Sequence, residues 1–170
     1  KITLLTHHLH EHFVEHFRTH QTDLDIQILK ENTPLGTGGS IVTAIHELNL
    51  KNTFLVLNGD SFLKLDFNRF INERIDSDFS IVASYQDNAS RYGQIVINET
   101  NEVIQFQEKT ESELPGLVNA GIYRIHPKVF SGFLHHKNYS LEKEIIPQLL
   151  SENKKIHIFL TKDSFIDIGT

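Results

Sequence analysis

Two aspartates far apart in the sequence carry the most specific chemistry in this chain. Asp60 follows the apolar run Phe54-Leu55-Val56-Leu57 through Asn58-Gly59, at the point where a buried strand opens into a loop. In α/β sheets, ligands bind at such carboxyl ends of strands. A carboxylate placed there can hold a divalent cation against phosphate oxygens, and Gly59 removes a side chain that would keep the ligand away. Asp167, in Phe165-Ile166-Asp167-Ile168-Gly169-Thr170, is the second candidate of this kind.

Three other groupings compete for attention. His8, His12, His16 and His20 recur every four residues, and histidines so spaced on a helix can share a metal. Without cysteine or a clear carboxylate partner, a histidine-rich helix flank is the better reading. The His-Glu-x-x-His pattern fails, because Val14 stands three residues after Glu11. Asp76-Ser77-Asp78 has the Asp-x-Asp form of metal-dependent glycosyltransferases, but it precedes a strand instead of following one and reads as a solvated turn. The glycine-rich run Pro34-Leu35-Gly36-Thr37-Gly38-Gly39-Ser40 leads into a helix, so its N–H groups and the helix dipole suit a nucleotide. No Gly-Lys-Ser/Thr follows it, and by itself such a loop is more often a tight turn.

The elements that must position these residues alternate in type. Strands are expected over 1–5, 25–29, 54–57, 79–85, 94–97, 102–106, 117–125, 155–160 and 165–168. Helical spacing marks Leu9, Phe13 and Phe17, then Ile41, Ala44, Ile45 and Leu48, then Phe67, Phe70, Ile71 and Ile75. Ser140 with Glu142 and Glu144 opens a last helix, in which Pro147 fits only near the first turn. Asn98-Glu99-Thr100-Asn101 suits a hairpin connection. This order predicts one α/β domain over 1–170 with a mixed sheet.

Composition excludes several classes of function. At 170 residues and 39% apolar, the chain can bury one sizeable core. Its 22 carboxylates against 16 Lys and Arg leave no footprint for a nucleic acid polymer or an anionic membrane. The absence of cysteine excludes disulfides, thiolate chemistry and Cys zinc sites. No apolar run approaches the roughly 20 residues of a membrane span, and no signal peptide is visible, so a cytoplasmic protein is expected.

Seven motifs in order make the reading more specific: Pro34-Leu35-Gly36-Thr37-Gly38-Gly39, Asn58-Gly59-Asp60, Tyr92-Gly93, Glu108-Lys109, Asn119-Ala120-Gly121-Ile122-Tyr123, Ser140-Leu141-Glu142 and Asp167-Ile168-Gly169-Thr170. The chain resembles the sugar-1-phosphate nucleotidylyltransferases, or nucleotide-sugar pyrophosphorylases, over nearly its whole length. Thr6-His7-His8-Leu9 and the Pro-Leu-Gly-Thr-Gly-Gly run are most like the mannose or heptose 1-phosphate guanylyltransferases, ahead of the muramate 1-phosphate uridylyltransferases. The resemblance implies a Rossmann-like, three-layer nucleotide-diphospho-sugar transferase fold with a mixed, mostly parallel sheet. It implies a reaction of a nucleoside triphosphate with a sugar 1-phosphate that releases pyrophosphate, with GTP and mannose or heptose 1-phosphate placed first.

On that resemblance Asp60 and Asp167 bind Mg²⁺, and Lys109 neutralises the sugar phosphate as a point charge. Glu108, Asn119 and Gly93 form the sugar pocket, while Leu35, Gly36, Thr37 and Gly38 lie against base or ribose. Taken singly, each has a plainer reading: Lys109 and Glu108 as a solvated pair, Asn119 as a core amide satisfied by backbone, Asp167 as a loop cap. Their joint order is what carries the functional reading.

Departures from the family's pattern matter too. Its Gly-x-Gly-Thr-Arg-Leu loop, with a downstream Pro-Lys, grips the triphosphate after the first strand, and nothing here matches it. The chain has no methionine and opens on Lys1-Ile2-Thr3-Leu4-Leu5, which reads as a strand in mid-fold. Either a preceding portion or the methionines themselves are missing from the sequence as it stands, and an absent N-terminal strand and loop is the expectation. Thr110 stands where the family commonly has Pro, which alters loop stiffness more than chemistry. A homo-oligomer is compatible with the family. Two other classes remain open. A noncatalytic regulatory homologue would keep the fold and lose the triphosphate loop, but would not need Asp60, Asp167 and Lys109 together. A glycosyltransferase would want its Asp-x-Asp at a strand end.

Overall fold

Strands β1 (Ile2–Thr6) and β2 (Ile26–Lys30) pair in parallel, Leu4 opposite Ile28, with α1 (His10–Thr19) connecting them. The computed structural model describes residues 1–73, 76–107, 114–163 and 165–168. These fall into two compact units, Lys1–Leu50 with Gly132–Ile145 and Lys51–Ser131 with Ile146–Thr170. In the first unit α1 is the helix expected from Leu9, Phe13 and Phe17. It buries none of its residues, and Phe13 is 43% exposed.

The second helix of this unit, α2 (Gly36–Glu47), buries Ile41, Val42 and Ala44, and the unit also buries Leu141 and Ile145 of the π-helical turn Leu141–Ile145. The glycine-rich run expected as a loop is already helical from Gly36. Its small residues answer to the segment 137–139: a Cβ on Gly39 would collide with the Lys137 carbonyl, and the Gly38 and Gly39 N–H groups both donate to the Tyr139 carbonyl, at 3.0 and 3.2 Å. Ser140 opens the π-helical turn as its sequence suggests, with the Ser140 N–H donating to Glu144 Oε2 at 2.7 Å and the Lys143 N–H to Ser140 Oγ at 3.1 Å.

The second unit is built on a sheet in the order β7-β6-β8-β5-β9, with β3 (Phe54–Leu57) lying along β8. Its strands are β5 (Phe79–Gln86), β6 (Gln94–Ile97), β7 (Val103–Gln107), β8 (Gly116–Ile125) and β9 (His157–Thr161). Strands β3, β5, β6 and β9 point one way, while β8 and β7 point the other. The sheet is mixed, as expected of an α/β chain. Every residue from Phe79 to Ser84 is buried, Ser80 and Ser84 along with the alternating Phe79, Ile81 and Ala83, as befits a strand lying inside the sheet between β8 and β9. The β6–β7 hairpin turns where its polar residues predict: Asn98 Oδ1 accepts the N–H groups of Thr100 and Glu102, and Asn101 takes φ 58°.

A short antiparallel ribbon, β4 (Ser61–Leu63) with β10 (Phe165–Asp167), adjoins α3 (Phe67–Asn72) in the same unit. Their core is Leu63, Phe70, Val82, Ala120, Ile122 and Phe159, with Leu55, Leu65, Phe67 and Phe165 packed against it. The Phe70 and Phe159 rings meet edge-on at 5.2 Å. Pro147 is the second residue of α4 (Ile146–Ser151), which follows directly on the π-helical turn Leu141–Ile145, so the proline lies further into the helical run than the first turn its sequence suggests. Among the described residues no helix is long and apolar enough to cross a membrane.

Candidate functional site

Strand β3 ends at Leu57, and the next residue is held to β8: the Asn58 N–H donates to the Gly121 carbonyl at 2.8 Å. The chain then turns through Gly59 and Asp60 into β4. There β10 runs back antiparallel, with Asp167 opposite Ser61 and the Ile168 N–H donating to the Asp60 carbonyl at 2.9 Å. Two aspartates separated by more than half the sequence are therefore neighbours at one end of a two-stranded ribbon. Asp60 is exposed and Asp167 half-buried.

This donor set suits a hard cation. Mg²⁺ takes oxygen ligands and is commonly held by one or two carboxylates, with water and substrate phosphates filling the rest of its octahedron. Among the described residues no group of three or more His, Cys, Asp or Glu could enclose a metal.

Asn119 lies on β8, two residues before the Gly121 that holds Asn58, and is half-buried. Its Nδ2 donates to the Tyr123 hydroxyl at 2.7 Å, and its Oδ1 accepts the Gly121 N–H at 3.0 Å, so the amide is engaged by its own strand. Gly93 begins the approach to β6, and the neighbouring Tyr92 ring meets Phe165 of β10 at 5.7 Å. Glu108 and Lys109 lie outside the described residues. Leu35, Gly36, Thr37 and Gly38 belong to the first unit. Leu35 is 4% exposed and borders a cavity of about 270 Å³ with Thr33, Ser40 and Thr43, whereas Gly36 and Thr37 are exposed.

The competing groupings resolve in plainer ways. Asp78 pairs with Lys128 at 2.8 Å and Asp76 with Lys155 at 3.8 Å, on the turn leading into β5, so this Asp-x-Asp is a charge-paired turn. At the end of α1 the ring of His16 stacks with that of the following cap residue His20 at 4.3 Å, and the His20 ring nitrogen Nδ1 lies 3.0 Å from the His16 carbonyl. A second stack, which the sequence did not suggest, sets His135 on His46 at 3.7 Å with His136 beside it. Lost water contact, then the His46 and His136 rings, lower the His135 pKa from 6.5, with Glu47 opposing. The folded state thus binds this proton less readily than the unfolded chain. Its contribution to stability is present above the ordinary histidine value and lost as pH falls through the lowered one. A titration followed by the His135 Cε1–H resonance is expected to reach its midpoint below 6.5. A midpoint at or above that value would remove the stack as the cause.

The whole chain, residues 1–170, matches the family model described as nucleotidyl transferase. The chain belongs to that family. This nucleotidyl transferase is 31% identical over 173 residues to a D-glycero-alpha-D-manno-heptose 1-phosphate guanylyltransferase of Campylobacter jejuni, spanning 99% of this chain and 73% of the relative. It is 30% identical to the mannose-1-phosphate guanyltransferase of Saccharomyces cerevisiae, spanning 99% of this chain and 48% of that one. Among solved structures, HddC from Yersinia pseudotuberculosis complexed with GMP-PN superposes with a TM-score of 0.87 at 30% identity, over 100% of this chain and 73% of HddC. The inositol-1-phosphate CTP transferase of T. maritima shares the fold with a TM-score of 0.78 at 12% identity, over 98% of this chain and 69% of that one.

Two features of this candidate site escaped sequence reasoning. Strand β4 is three residues long and becomes a strand only through its pairing with β10, so no local pattern marks it. Gly121, at φ 71°, gave a local signal in Asn119-Ala120-Gly121, a glycine inside a strand, which is how bulges announce themselves.

Proposed function

We propose that this chain is the nucleotidyl-transfer domain of a cytoplasmic sugar-1-phosphate nucleotidylyltransferase, using GTP with mannose or heptose 1-phosphate. The observation that carries the reading is the meeting of Asp60 and Asp167, fixed by the Ile168 N–H on the Asp60 carbonyl at 2.9 Å. Support for the guanylyl branch comes from the names of the heptose and mannose 1-phosphate relatives, each matched over 99% of this chain.

In the reaction a phosphate oxygen of the sugar 1-phosphate attacks the α-phosphorus of the triphosphate. One P–O bond forms, the bond to the β-phosphate oxygen breaks, and pyrophosphate leaves. The attacking oxygen is ionised at neutral pH, so no general base is required, and the protein's task is to align two anions and offset their repulsion. Asp60 and Asp167 would hold Mg²⁺, which when bound supplies positive charge to the phosphoryl oxygens. Lys109 would bring a second positive charge to the sugar phosphate, and Glu108 would accept hydrogen bonds from sugar hydroxyls. Gly93 and Asn119 would border the sugar, and Leu35 to Gly38 the base or ribose.

The test is pyrophosphate release by the full-length protein, with Mg²⁺, across the four common nucleoside triphosphates and a panel of sugar 1-phosphates. Release is expected with GTP and a manno-configured sugar 1-phosphate, and is expected to stop when Mg²⁺ is chelated. No release with any pair would favour the noncatalytic reading.

A further inference from the structure

Strand β8 carries an irregularity where it meets Asn58, two residues before Asp60. On the β5 side Ile81 faces Tyr123 but Ala83 faces Asn119, so four steps of β8 span two steps of β5. The extra residues form a bulge, and bulges next to functional sites commonly re-aim the neighbouring chain. Within it Gly121 adopts φ 71°, its N–H returns to Asn119 Oδ1 at 3.0 Å, and Asn119 Nδ2 donates to the Tyr123 hydroxyl at 2.7 Å. Tyr123 is fully buried, with its ring 6.2 Å from that of Phe79, so the hydroxyl is a fixed point.

On its other side the bulge holds the aspartate loop. The Gly121 carbonyl accepts the Asn58 N–H at 2.8 Å. The Asn58 side chain rests on the bare Cα of Gly121, where an added Cβ would stand 2.8 Å from Nδ2 and 3.0 Å from Cβ and Cγ. Two residues later Asp60 receives the Ile168 N–H beside Asp167. A line of contacts therefore runs from the Tyr123 hydroxyl through Asn119 and Gly121 to Asn58, and the backbone carries it two residues on to Asp60, whose carbonyl accepts the N–H of the residue after Asp167.

We propose that the β8 bulge is a positioning device, in which Asn119, Gly121 and Tyr123 set the spacing of Asp60 and Asp167 for a divalent cation. The inference rests on reading those aspartates as the cation-holding pair. It gives Tyr123 and Gly121 a role in the site that their place in a buried strand would not suggest, and makes Asn119 a positioning residue. A β-carbon at Gly121 meets both an unfavourable φ and the Asn58 side chain, so the aspartate loop must shift. Removing the Tyr123 hydroxyl releases the Asn119 amide from one of its partners. Residues that orient metal ligands from behind typically change affinity by about 10–100-fold when mutated.

The experiment is a titration of the ¹⁵N-labelled full chain with Mn²⁺ alone, recording the concentration that half-broadens the Asp60 and Ile168 amide resonances. Gly121→Ala is expected to raise that concentration about 10–100-fold, and Tyr123→Phe to raise it in the same direction by a smaller factor. Both spectra should stay dispersed, and Asp60→Asn should abolish the selective broadening. If Gly121→Ala does not fold, Tyr123→Phe decides. Native-like titration in these variants, with the Asp60→Asn effect intact, overturns the positioning role and leaves the aspartate pair standing. No selective broadening in the native chain overturns the pair, and the inference falls with it.

Discussion

Asp60→Asn is expected to lower pyrophosphate release by about 10²–10³-fold, the scale on which loss of one electrostatic contact to a reacting group is felt. The substitution keeps the size of the side chain and removes its charge. Asp60 is exposed and its carbonyl, not its carboxylate, takes the Ile168 N–H, so the β4–β10 pairing and the melting temperature should not change. Asp167→Asn should lose turnover on the same scale. On the proposal that the two carboxylates act as one unit, the double variant should lose little more than the poorer single one. Each effect is read as turnover against Mg²⁺ concentration at saturating substrates. Near-native turnover in either single variant takes that carboxylate out of the site, and strict additivity in the double variant separates the two roles.

What was legible in the sequence depended on how local its cause was. Asn98 to Asn101 announced a turn because the turn is made by the Asn98 side chain and the left-handed Asn101 themselves. Asp60 was legible because an apolar strand followed by Asn-Gly-Asp places a carboxylate at the strand's end whatever lies around it. The proximity of Asp167 to Asp60 was legible only through the resemblance, since the β4–β10 register depends on residues more than a hundred positions apart. The helical state of Gly36 to Gly39 was not legible at all. Glycine disfavours a helix interior, and what overrides that here is the backbone at 137–139, which leaves no space for a β-carbon. The Asn119 amide could equally have faced a ligand. Its engagement with Tyr123 and Gly121 follows from a bulge that becomes visible when β5 and β8 are laid side by side.

Arg124 has no marking in the sequence beyond being a charge in an apolar strand, and its removal should be among the most destabilising single changes in the second unit. Its Nη1 donates to the carbonyls of Phe70, Ile71 and Glu73 at 3.2, 3.0 and 3.1 Å, and its Nη2 to Ser80 Oγ at 3.3 Å. These carbonyls close α3, where the last turn of any helix has acceptors without internal partners. A guanidinium supplies several donors in one plane and a positive charge that complements the helix dipole. The same group lies over the Phe70 ring, 5.8 Å from its centroid, so it ties the helix end to the core. Burial lowers the Arg124 pKa from its ordinary value, with Glu73 opposing, which is the cost of bringing the charge inward. Arg124→Met keeps the stem's volume and deletes the donors. Because the site is half-buried and water can replace part of the loss, the expected destabilisation is about 2–4 kcal/mol. Arg124→Lys should recover only part of it, since one ammonium on a single stem cannot match the fork. Urea unfolding should show a lower midpoint with an unchanged slope, the mark of an effect on the native state. A loss below about 1 kcal/mol would mean that water already satisfies the end of α3, and that its position beside the β4–β10 ribbon owes nothing to Arg124.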